Sequence, residues 1–101
     1  MGWIASQPYI KVVREIQGLE QVNIEEPRMI YLYEDRIVTE HREFPFHTMF
    51  DMSFRQLVGD EGMLYFHTSK GVYSYLIKTD PTEFIQCFKA LEKKKREEQE
   101  S

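Results

Sequence analysis

The feature that most constrains the fold is a change of period near the end of the chain. The alternating run "VYSYLI" from Val72 to Ile77 reads as a strand, and "KTDPTEFIQCF" from Lys78 to Phe88 follows it at once. Asp80 can accept hydrogen bonds from the first free backbone N–H groups of a helix, Pro81 presets φ for its first position, and Glu83 completes a capping pattern. Phe84, Cys87, Phe88 and Leu91 then fall at i, i+3, i+4 and i+7, with Ile85 and Ala90 on the flanks. That spacing predicts a helix starting near Pro81 and ending near Lys94, with one apolar stripe that must lie on something apolar. The closing "EKKKREEQES" has charges and no apolar side, so segment 93–101 is expected to be a charged helix end fraying into a tail.

Upstream the signals are those of strands. Tyr9 to Gln17 could be a strand or a short helix, and its β-branched content favours the strand. After Gly18 the apolar residues thin out as far as Pro27, and no period is legible there. Arg28–Tyr33 and Arg36–Phe44 flank "ED" and read as a hairpin. Pro45 breaks the next run, which resumes with Phe50, Met52 and Phe54 alternating against polar residues. In Met63–Ile77, "TSKG" places Gly71 where positive φ is needed after a type I turn. With Thr68 opposite Val72, one face holds Leu64, Phe66, Val72, Ser74 and Leu76, and reads as core. The other holds Met63, Tyr65, His67, Tyr73, Tyr75 and Ile77, aromatic but polar-tipped.

The expected architecture is therefore mainly β (α+β): a bent antiparallel sheet or partly open barrel of about six or seven strands, capped by one C-terminal amphipathic helix. Residues 1–92 make a single domain. At 101 residues and 42% hydrophobic content the chain can bury one core without staples.

Composition narrows the function. A net charge of −4 argues against a general nucleic-acid binder, which needs a net basic face. The one basic run, Lys93–Arg96, is followed directly by glutamates. The single cysteine, Cys87, sits on the apolar stripe and reads as a small core residue. The lack of a leading apolar segment or an apolar run of about 20 residues points to a cytoplasmic setting. His41, His47 and His67 show neither the i, i+4 pairing nor the Cys/His spacing of zinc sites, and the five glycines form no phosphate loop. No catalytic residue, cofactor, metal or small-molecule substrate is indicated.

"LYEDRIV" from Leu32 to Val38 resembles the acidic and arginine-bearing turn between early strands of bacterial pleckstrin-homology-like (PH-like) domains. "FPFHTMFDMSF" resembles the strand that follows there, and "DPTEFIQCFKAL" from Asp80 to Leu91 resembles the capped C-terminal helix. The resemblance covers roughly residues 28–92 and rests on hydrophobic patterns. It implies a non-enzymatic scaffold that docks proteins, peptides or phosphoinositide headgroups, or self-assembles. The lipid-binding members cluster Lys and Arg around the first hairpin, whereas here Lys11, Arg14, Arg28 and Arg36 are scattered among carboxylates. The expected function is a protein or peptide interaction module, a second copy of the chain included among its partners. A membrane-surface or phosphoinositide-binding adaptor is the alternative, and a small metal-dependent enzyme the second. The candidate partner-binding residues are Tyr65, His67, Tyr73 and Tyr75, because tyrosines offer large contact area with little rotamer entropy to lose.

Overall fold

The computed structural model describes residues 2–100, the side chains of 99 and 100 excepted. These form seven strands and one long helix: β1 (Ala5–Gln17), β2 (Glu20–Leu32), β3 (Arg36–Val38), β4 (Glu43–Pro45), β5 (Met49–Gln56), β6 (Gly62–Thr68), β7 (Gly71–Ile77) and α1 (Thr82–Glu100). A 3-10 turn, Phe46–Thr48, joins β4 to β5. All neighbours are antiparallel, in the order β4-β3-β2-β1-β7-β6-β5. The sheet is open, with β4 and β5 as its edges, yet bent enough that its halves share one core: the Phe44 ring of β4 stands edge-on to Phe66 of β6 at 5.5 Å.

The apolar stripe expected on the helix is the one it buries, since Phe84, Phe88 and Leu91 all enter the core and Cys87 packs half-buried beside them. Ile85 donates its N–H to the Pro81 carbonyl, so Pro81 occupies the cap itself. Asp80 stands one residue earlier, where its Oδ1 accepts from the Thr82 N–H at 3.0 Å and the Thr82 hydroxyl at 2.6 Å. The helix outruns its expected end near Lys94 and continues to Glu100. Two contacts favour the extra turn: the Lys95 ammonium lies 5.3 Å over the Phe46 ring, and Arg96 approaches Glu92 one turn back at 3.9 Å. Of the expected tail, Ser101 lies outside the described residues.

Tyr9–Gln17 is a strand, and so is the stretch to Pro27 where no period could be read. They pair from Ala5↔Leu32 to Gln17↔Glu20 around a two-residue turn. Gly18 takes φ 65 at the first turn position, where a side chain would be strained and glycine is not. The expected strand Arg36–Phe44 is instead folded on itself. β3 and β4 form a tight hairpin closed by the Thr39 N–H donating to the Arg42 carbonyl, and Pro45 ends the edge strand, where a missing N–H costs nothing.

The register of the last hairpin also differs from the expected one. Thr68 pairs with Gly71 and not with Val72. Its side chain closes the turn at two residues, donating to the Gly71 carbonyl at 2.9 Å and accepting from the Lys70 N–H at 3.1 Å. Gly71 keeps its positive φ, 126°, but stands inside the ladder. A one-residue slip exchanges the faces of a strand. Tyr73, Tyr75 and Ile77 therefore share the inner side with Leu64 and Phe66, while Val72, Ser74 and Leu76 lie outside with Met63, Tyr65 and His67.

Three carboxylates are held below their ordinary range. Asp80 is lowered by the Thr82 hydroxyl and then the Thr82 N–H, Glu40 by its hydrogen bond from Arg28, and Asp51 by the Met52 backbone N–H and then Lys89. A depressed folded pKa contributes stability that is present above the ordinary value, about 4, and lost as pH falls through the folded value. Thermal melts are expected to drop in midpoint between pH 5 and pH 2, and Asp80→Asn should shrink that drop. An unchanged acid limb in the variant would show that the cap is not one of its sources.

Candidate partner-binding surface

The four residues expected to form one face divide into two pairs. Tyr75 packs inward, its ring 4.9 Å from Phe66 and edge-on to Tyr9 at 5.1 Å. Burial is the main reason its phenol is pushed above the usual value. Tyr73 also turns inward, 5.0 Å from Phe44, with the Arg42 guanidinium 4.7 Å over its ring. Tyr65 and His67 stay on the outer face, half-buried and opposite Ser74 and Val72.

Around that outer pair the register assembles a surface that the sequence did not reveal. Met63 lies opposite Leu76, Leu76 opposite Ile10, and Ile10 opposite Pro27. This apolar row crosses four strands. Val72, on the same face beyond the Tyr65–Ser74 pair, is 60% exposed. The row then runs into an arm. Beyond the single β1–β7 pairing at Ile10↔Leu76, the β1–β2 ladder goes on alone for seven pairs, Lys11↔Glu26 to Gln17↔Glu20. At about 3.4 Å per residue that is a projection of roughly 20 Å, and it helps stretch the molecule to 62 × 28 × 26 Å. A two-stranded ribbon is marginal in water. This one nonetheless carries Val12, Ile16 at 81% exposure and, at its tip, Leu19 fully exposed.

Comparison of the chain with protein-family models, with curated proteins and with solved structures finds no match. The surface must therefore be read from its own chemistry.

One arrangement resembles catalytic machinery. Ser53 Oγ lies 2.7 Å from His67 Nε2, and Asp51 is the cross-strand neighbour of His67. Asp51, however, is bonded to Lys89 at 3.2 Å, and Ser53 and His67 stand on an open sheet surface. A nucleophile there has no concave site in which to hold an acyl group against oxyanion donors. Among the described residues no group of three or more His, Cys, Asp and Glu side chains could hold a metal.

Among the described residues, ion pairs hold six of the thirteen Lys and Arg side chains, Lys11, Arg28 and Arg36 near the first hairpin included. Arg28 bonds Glu40 and Glu26, Arg36 bonds Asp35 and Glu43, Lys78 meets Glu25 at 2.7 Å, and Lys11 lies 4.0 Å from Glu40. A cleft of about 580 Å³ between the 3-10 turn and α1 sets Lys95 and Arg96 among Asp35, Glu92 and Glu98, so its charges are mixed. No described helix is long and apolar enough to cross a membrane.

Proposed function

We propose that the chain is a non-enzymatic interaction module of PH-like build that binds a protein through the outer face of its sheet. The seven-stranded antiparallel sheet with its C-terminal helix is compatible with that build. The observation that carries the reading is the outer apolar row, Met63–Leu76–Ile10–Pro27, half-buried except at Pro27, with Tyr65 next to it, His67 and exposed Val72 one row further, and the arm continuous with it. Apolar rows with aromatic residues at their margin are what protein interfaces bury, and a monomer gains nothing by leaving them in water. Affinity capture from the native host with the wild type and with a Met63→Glu, Val72→Glu variant tests it. The variant is expected to keep its melting temperature and lose the captured protein; retention at wild-type levels would overturn the reading.

The same reading predicts no sedimentation with acidic liposomes at physiological salt, with or without phosphoinositides. Basic residues already paired with carboxylates concentrate little positive potential, and that potential falls off within about 8 Å. Saturable binding at micromolar lipid would replace this proposal with a membrane-surface adaptor.

A further inference from the structure

We infer that the arm pairs with the arm of a second copy of this chain, antiparallel, through the free edge of β1 and centred on Val13. The inference rests on the interaction-module reading and names a partner for it. Gln17 and Glu20 flank the two-residue turn, so Lys11, Val13, Glu15 and Gln17 direct their backbone groups to β2. Val12, Arg14 and Ile16 then direct theirs to the opposite side, where β7 has already parted from β1 after Ile10↔Leu76. Those groups form an open ladder of the kind that templates pairing. The other edge of the arm is also free, because β3 meets β2 only at Tyr31 and Leu32. That edge belongs to a strand carrying Glu20, Glu25, Glu26 and Pro27, acidic and interrupted, which are the features that discourage a copy of itself.

The β1 sequence is self-complementary in one register. Centred on Val13, a two-fold pairing sets Lys11 opposite the partner's Glu15 twice over, Val12 opposite Arg14 twice, and Val13 on itself. One residue nearer the tip it would oppose Arg14 to Arg14, and one further Glu15 to Glu15. One residue nearer the base it would oppose Lys11 to Val13 and leave the Lys11 and Glu15 charges unpaired. The favoured ladder runs from Lys11↔Glu15 to Glu15↔Lys11 and stops short of Ile10, whose edge β7 occupies, so that the partner's Ile16, 81% exposed in the monomer, ends next to Leu76 at the end of the apolar row. The ladder is short, so the expected dissociation constant is modest, on the order of 0.1 mM.

Sedimentation equilibrium from about 10 μM to about 1 mM reads this directly. Wild type is expected to dimerise across that range. Lys11→Glu and Glu15→Lys should each weaken the dimer about tenfold, and the Lys11→Glu, Glu15→Lys double variant should recover it to within about threefold. Arg14→Pro removes an edge N–H that β2 does not use and should also abolish pairing. Melting curves separate loss of association from loss of fold, which matters for Lys11→Glu because it also approaches Glu40. A wild type monomeric at 1 mM, or a double variant no better than the single ones, overturns the pairing. The interaction-module reading stands or falls separately, on the Met63→Glu, Val72→Glu capture.

Discussion

Truncating Phe88 to alanine is expected to cost about 3–5 kcal/mol. Phe88 is fully buried, its ring 5.4 Å from Phe46, and it sits midway between Phe84 and Leu91 on the stripe that α1 presents to the sheet. Helices of this length derive most of their stability from such a face and little from propensity. The cavity would open where the helix meets the core, and neighbours tied into the sheet cannot collapse into it. Against a total stability of about 5–15 kcal/mol, the midpoint of thermal unfolding should fall by tens of degrees. Gln86→Ala, exposed on the same helix, should leave it within a few degrees. Equal midpoints for Phe88→Ala and wild type would mean that the helix is not docked through this residue.

The helix was legible because its signals are local and redundant: a cap, a proline and an apolar stripe agree with one another. The last hairpin was legible as a hairpin but not in its faces. Alternation along β6 and along β7 fixes which residues share a side within each strand, while the relation between the strands depends on whether Gly71 belongs to the loop or the ladder. "TSKG" permits both, and the Thr68 side chain decides, through two hydrogen bonds that no pattern announces. The candidate site inherited that ambiguity, so Tyr65 and His67 fell on the outer face and Tyr73 and Tyr75 did not. The arm was obscure for a different reason. Segment 19–27 alternates in burial like any strand, with Val22, Ile24 and Glu26 on the half-buried side, but only two of those three are apolar, too few to declare the period in the sequence.

The sharpest test of that corrected register is a contrast among three tyrosines that look alike in sequence. The double substitution Tyr73→Ala, Tyr75→Ala is expected to cost about 4–8 kcal/mol, enough to leave a domain of ordinary stability largely unfolded. Tyr75 loses ring contacts with Phe66 and Tyr9, and Tyr73 its contact with Phe44, which together join β7 to β6, β1 and β4. Tyr75→Phe isolates one part of this: it keeps the ring contacts and removes only the hydroxyl, for a loss of less than about 1.5 kcal/mol. Tyr65→Ala, on the outer face, should cost less than about 1.5 kcal/mol and act on partner capture instead. Urea titration of the three variants resolves the order. The two registers predict opposite rankings, since pairing Thr68 with Val72 would turn Tyr73 and Tyr75 to the surface and make their loss nearly silent; a double variant as stable as Tyr65→Ala would therefore refute the observed pairing and with it the outer apolar row.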